Sequence, residues 1–139
     1  MSYALITGPT AGIGKALAYQ LAEKGYNLLL VARREDRLIQ ISEDIKDKFN
    51  VEVLFTVEDL TNSQAPERIY DFTISKALDI ELLILNAGYQ HHRTFEEVSI
   101  SDEEDCLRVL GLSVIMQSKL FIKHLKNRGG GKIMVVSSV

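Results

Sequence analysis

Cysteine is nearly absent: Cys106 stands alone, so the chain can form no internal disulfide. A disulfide-stapled secreted fold is thereby excluded, and a reducing compartment fits. No basic stripe is present. Sixteen Lys and Arg stand against nineteen Asp and Glu, a net charge of −3, which offers nucleic acid no electrostatic footprint. Long hydrophobic runs are missing too. The longest are strand-sized, such as Leu28-Leu29-Leu30-Val31-Ala32, far short of the roughly 20 residues that span a membrane. The first strand pattern starts at Tyr3, leaving no room for a signal peptide. The expectation is a cytoplasmic domain with no membrane partner. There is no linker, repeat or low-complexity tract, and 139 residues with 46% hydrophobic and 25% charged content suit one domain. Metal-ligand spacing is lacking as well. His91 and His92 are adjacent on a polar segment with no Cys or carboxylate at ligand spacing, so they read as substrate-loop or solvent-facing residues and no metal is expected.

What the chain does have is a glycine-rich turn near its start, Tyr3-Ala4-Leu5-Ile6-Thr7-Gly8-Pro9-Thr10-Ala11-Gly12-Ile13-Gly14. Ala4, Leu5 and Ile6 read as a buried strand. Ile13, Leu17, Leu21 and Ala22 follow at helical spacing, and Gly25 is placed to end that helix. Strand, glycine turn and helix together form a phosphate-binding geometry. The first N–H groups of a helix lack partners and carry the positive end of its dipole, and an anion answers both. A P-loop is excluded, because Pro9 occupies its first glycine position and Ala16 lacks the hydroxyl that would hold magnesium. The spacing Gly8-x-x-x-Gly12-x-Gly14 also departs from G-x-G-x-x-G.

Downstream, strand and helix patterns alternate. Asn27–Ala32 is a continuous apolar run closed by Arg33-Arg34. Leu38, Ile41, Ile45 and Phe49 mark a charged helix's inner face, and Val51–Val57 is a third strand ending in Glu58-Asp59-Leu60. Ser63 or Thr61 can cap the next helix, with Pro66 in its first turn and Ile69, Phe72 and Ala77 facing inward. Leu82–Leu85 is a fourth strand, broken by Asn86-Ala87-Gly88. Ser101-Asp102-Glu103-Glu104 reads as a capping box opening a long helix. Leu107, Leu110, Val114, Phe121 and Leu125 are its expected inner face, with Cys106 and His124 as packing or surface residues. Gly129-Gly130-Gly131 ends it, and Ile133–Val136 is a fifth strand. The fold class is therefore α/β, a Rossmann-type doubly wound parallel sheet in the order 3-2-1-4-5. Ligands in such sheets sit at the strand carboxyl ends, where Thr7–Gly14, Arg33-Arg34, Asp59-Leu60, Asn86-Ala87-Gly88 and Ser138 all fall.

The Thr7-Gly8-x-x-x-Gly12-x-Gly14 loop, Asn86-Ala87-Gly88 and Gly131-Lys132-Ile133-Met134-Val135-Val136-Ser137-Ser138 resemble the short-chain dehydrogenase/reductase family over nearly the whole chain. The resemblance implies a nucleotide-binding domain over residues 1–139 that covers only the cofactor half of the family fold. It assigns Thr7, Gly8, Thr10, Gly12, Ile13, Gly14, Asn86, Ala87 and Gly88 to the cofactor, Asp59-Leu60 to the border of the adenine, and Ser138 to catalysis as the hydroxyl that orients the substrate oxygen. For Asp59 the alternative is a strand-end residue capping the next helix.

Arg33 and Arg34 stand where NAD binders place an acidic residue for the ribose hydroxyls, whereas a 2′-phosphate needs positive charge. NADP is the expected cofactor, with NAD less favoured. The alternative is a solvated helix start whose arginines pair with Glu35 and Asp36.

The sequence departs from the family at two points. Leu110 or Ser113 occupies the place of an asparagine that supports the proton relay, and no tyrosine is followed four residues later by lysine. The implied activity is reversible hydride transfer between NADP(H) and a small carbonyl or alcohol substrate. The chain alone is expected to be inactive; the alternative is a non-catalytic NADP-binding sensor or scaffold. The family also implies a homo-oligomer paired through the Asp102–Arg128 helix, with Met116, Lys119 and Lys123 partly in the contact.

Overall fold

The computed structural model describes residues 1–137. Its five parallel strands lie in the order β3-β2-β1-β4-β5. They are β1 (Tyr3–Thr7), β2 (Asn27–Ala32), β3 (Val53–Val57), β4 (Ile80–Leu85) and β5 (Lys132–Val135). Crossovers run through α1 (Gly12–Glu23), α2 (Glu35–Phe49) and α3 (Ala65–Ser75), then through a long helical rod made of α4 (Ile100–Leu107) and α5 (Ser113–Asn127). Strand order reverses at β1, where the chain turns from the β2 side to the β4 side, and β1 runs in parallel register with both neighbours.

The apolar runs are continuous because both faces of the sheet are covered. Leu5, Leu29, Val31, Leu83 and Leu85 pack with Ile69, Val109 and Phe121 on one side. Ala4, Ile6, Leu28, Leu30 and Ile84 pack with Ala18, Ala22, Leu38, Ile41 and Ile45 on the other. β1 and β2 therefore alternate faces while staying buried along nearly their whole length, the signature of a parallel sheet between helix layers, whereas the edge strand β5 is largely exposed.

Several local expectations are corrected. In α1 the buried line is Gly14, Ala18 and Ala22, while Ile13 is 61% exposed. Small residues at four-residue spacing bring the helix close to the sheet, so bulk is not what marks its inner face. No side chain caps α3: Asn62 Oδ1 accepts from Gln64 N, and neither Thr61 nor Ser63 is the cap. Ala77 lies beyond that helix at φ 51° and is exposed, whereas Thr73 is buried. The helix cap before α4 is Ser99, whose Oγ accepts from Asp102 N, and not Ser101. The capping box belongs to the preceding short turn, between Thr94 and Glu97.

The largest correction concerns the inner face of the rod. Leu107 and Leu110 point outward, at 69% and 51% exposure. The buried line is Val109, Ser113, Gln117, Phe121 and Leu125. Two of its members are polar and bond to the backbone within the helix, while Gln117 Oε1 is buried without a partner among the described residues. Ser113 Oγ donates to Val109 O at 2.6 Å, and Gln117 Nε2 donates to Ser113 O at 3.2 Å. A π-helical turn at Arg108–Leu112 joins α4 to α5 and changes the phase of the helix there. At the opposite end of the sheet, His124 Nε2 accepts from Ile80 N at 3.1 Å, so this histidine is a structural acceptor.

Candidate functional site

The carboxyl end of β1 is stitched to that of β4. Thr7, 1% exposed, uses its Oγ1 to accept from Asn86 N at 3.0 Å and from Ala87 N at 3.1 Å. Asn86 Nδ2 donates to Gly8 O at 3.0 Å, and Gly8 N donates to Val31 O at 3.0 Å. Thr7 and Asn86 thus spend their polar atoms holding the glycine turn against its neighbours. Gly8 has φ 68°, and a Cβ there would meet Ala87 Cα at 3.0 Å. A Cβ on Gly14 would overlap the Gly8 carbonyl oxygen and Asn86 Nδ2. The turn can close onto the first turn of α1 only when both positions lack a side chain.

That closure leaves the start of α1 bare. Its N-cap is Ala11, no side chain caps it, and its first turn carries no acidic residue. The N–H groups of Gly12, Ile13 and Gly14 are the unpartnered donors of a helix N-terminus. They stand next to Ile13's exposed side chain at a helix start that a diphosphate bridge can satisfy. The residues present fit the phosphates of a dinucleotide.

A cleft runs from this turn across the carboxyl ends of β1, β2, β3 and β4. Gly8, Thr10, Arg33, Arg34, Asp59, Leu60, Ala87 and Gly88 line it, eight of the residues expected from the sequence. Thr7, Gly12, Ile13, Gly14 and Asn86 shape the turn beneath or beside it instead. Ser138 lies outside the described residues. The structure adds Arg37, Glu58, Thr61, Tyr89 and Val109 to the walls. Arg37 could have been found by its place four residues after Arg33. Glu58 and Val109 gave no sequence signal, because their place depends on how β3 and the π turn end.

Two of the charges on these walls, Arg34 and Glu58, are held in ion pairs. Arg34 donates from Nη2 to Asp36 at 3.0 Å, and this contact lowers the Asp36 pKa below the usual carboxylate range. Arg68 grips Glu58 with both ends of its fork, Nε to Oε1 at 3.0 Å and Nη2 to Oε2 at 2.8 Å. Asp59 Oδ1 accepts from Thr61 N and Oγ1, a turn of its own that caps no helix. Tyr89 stacks edge-on with His91, ring centres 5.1 Å apart. Burial, then Asp102 and Asp105, raise its phenol pKa above the ordinary tyrosine value. Among the described residues no group of three or more His, Cys, Asp or Glu could hold a metal. No helix among them is long and apolar enough to cross a membrane.

The short chain dehydrogenase family model matches residues 2–139. The chain belongs to this family. It is 34% identical to the very-long-chain 3-oxoacyl-CoA reductase of Mus musculus over 98% of its own length and 44% of that protein. It therefore spans less than half the length of the curated relatives it matches. Among solved structures, an alcohol dehydrogenase from Thermococcus sibiricus complexed with 5-hydroxy-NADP superposes with a TM-score of 0.90 at 33% identity, covering 99% of this chain and 58% of that one. L-sorbose reductase from Gluconobacter frateurii, complexed with NADPH and L-sorbose, gives 0.92 at 28% identity, with 99% and 52% covered.

Proposed function

We propose that residues 1–139 form the cofactor-binding part of an NADP-dependent oxidoreductase acting on a carbonyl or alcohol. The observation that carries this reading is positive charge at the end of β2, lining a cleft that includes the glycine turn just ahead of the bare N-terminus of α1. The α1 N–H groups hold the diphosphate, Asp59 and Leu60 border the adenine, and the guanidiniums meet the ribose 2′-phosphate. A bound nicotinamide supplies or accepts the hydride. The two structural neighbours described above carry NADP-type ligands, which supports the same choice.

Arg33→Asp tests it. An Arg–phosphate contact contributes about 1.5–3 kcal/mol, roughly ten- to a hundredfold in affinity. Calorimetry is expected to show NADP bound at least tenfold tighter than NAD by the parent protein, and the preference erased or reversed in the variant. Equal affinities in the parent would defeat the reading.

We further propose that these residues alone do not turn over substrate. Carbonyl reduction needs a proton delivered as hydride arrives, and a positioned acid contributes typically 10²–10⁴-fold. Ser138 can orient an oxygen but is a poor acid. No tyrosine here is followed four residues on by the lysine that would tune it. Residues 1–139 are expected to give no steady NADPH oxidation with any carbonyl; a form extended through a Y-x-x-x-K segment is expected to gain it. Robust turnover by 1–139 would overturn this and turn attention to Tyr89. A second reading is a non-catalytic NADP sensor or scaffold, which a full-length protein without that segment would favour.

Pairing of subunits through the α4–α5 rod is supported by Leu107, Leu110, Ile115 and Ile122, all exposed apolar side chains on it. Sedimentation is expected to show a dimer or larger at micromolar concentration, and Leu110→Glu with Ile115→Glu to shift it toward monomer. A parent protein that stays monomeric at high concentration would contradict this.

A further inference from the structure

Three arginines line the cleft at the start of α2, yet they are not equivalent. Arg34 is committed: its Nε and Nη2 both donate to Asp36, at 3.4 and 3.0 Å. Of the carboxylates on this wall, Glu58 is held by Arg68, and Asp59 accepts from Thr61 N and Oγ1. Arg33 and Arg37 have no carboxylate partner among the described residues. They are four residues apart, Arg33 just past the end of β2 and Arg37 in the first turn of α2.

Arg37 also has a second neighbourhood. A polar groove between α1 and α2 adjoins the cleft, and only Thr10 and Arg37 line both. Lys15 lies inside that groove, while Asp44 on its far wall is occupied by Tyr19 and Lys48. Arg37 therefore stands beside the hydroxyl-bearing residue of the glycine turn, with a further cation behind it and the nearby carboxylates engaged elsewhere. A phosphate of about −2 charge is best met by two guanidiniums, each offering a planar fork of donors.

We propose that Arg37 is the second guanidinium of the 2′-phosphate site, paired with Arg33, and that Arg34 keeps Asp36 neutralised at its edge. This rests on the NADP reading above and deepens it by naming the residues that set the preference.

The test measures affinity for adenosine 2′,5′-bisphosphate and for 5′-AMP by calorimetry, using the full-length protein that carries these residues. The ratio of the two isolates the 2′-phosphate, and binding of 5′-AMP reports that the cleft is folded. Arg37→Gln is expected to lower the ratio tenfold or more, as Arg33→Gln does, with 5′-AMP affinity unchanged within about twofold. The double variant Arg34→Gln/Asp36→Asn, which removes an ion pair without altering net charge, is expected to lower it less than threefold. The inference is overturned if Arg37→Gln leaves the ratio unchanged, or if the double variant lowers it as much as Arg33→Gln. A parent protein with no preference between the two nucleotides would remove the NADP reading itself. That outcome is distinct from a parent that discriminates and an Arg37 variant that still does.

Discussion

Gly14→Ala is expected to abolish nucleotide binding and to lower the melting temperature. The added methyl would fall on the Gly8 carbonyl oxygen and on Asn86 Nδ2. Neither can step aside cheaply: Asn86 Nδ2 is bonded to that same carbonyl, and Gly8 N is tied to Val31 O at 3.0 Å. The glycine turn must move away from α1, and the donors meant for the diphosphate move with it. Forcing a methyl into a packed site costs typically about 1–3 kcal/mol, and at this chain length each kcal/mol shifts the midpoint by roughly 3–4 °C. A fall of about 3–10 °C with no measurable NADP binding is expected by thermal melting and calorimetry. Gly88→Ala serves as the contrast, because a Cβ there meets nothing within 4 Å and the midpoint should hold. A Gly14→Ala protein with parent stability and affinity would contradict the described closure of the turn.

Thr7→Val is expected to destabilise the chain even more. The substitution keeps the shape and removes the one acceptor shared by Asn86 N and Ala87 N. Leaving a donor buried and unpaired costs about 1–3 kcal/mol. Two such donors give about 2–6 kcal/mol, or a midpoint lowered by roughly 6–20 °C. Thr7→Ser keeps the hydroxyl and gives up one methyl, about 1 kcal/mol, so it should recover most of the loss in chemical denaturation. If Val and Ser at this position behaved alike, the hydroxyl would not be the fastener between β1 and β4.

The middle of the sheet was legible in the sequence because β1 and β2 are buried on both faces and read as unbroken apolar runs. Glycine, arginine and asparagine then mark strand carboxyl ends. The strand order followed from the handedness of the crossovers, and the cleft from the meeting of those ends.

The inner faces of the helices were harder to read. Hydrophobic spacing picks out Ile13, Leu107 and Leu110, yet close approach to the sheet selects Gly14, Ala18 and Ala22 in α1. In the α4–α5 rod the buried line includes Ser113 and Gln117, each of which donates to the backbone one turn back. A pattern based on apolarity cannot register either case. Arg33 and Arg34 differ in their surroundings. Arg34 makes the ion pair with Asp36 that a solvated helix start would make, and Arg33 lines the cleft without a carboxylate partner among the described residues. Arg37 and Glu58 entered the site only once the ends of β2, β3 and α2 were placed together.

The central claim, that this cleft holds the adenosine half of NADP, is tested most directly by amide chemical-shift mapping during titration with NADP⁺. The account predicts saturable shifts at Gly12–Gly14, at Arg33–Arg37 and at Ala87-Gly88, with those at Arg33–Arg37 much reduced when NAD⁺ replaces NADP⁺. Shifts confined to His91–Glu97, or none at millimolar nucleotide, would contradict it.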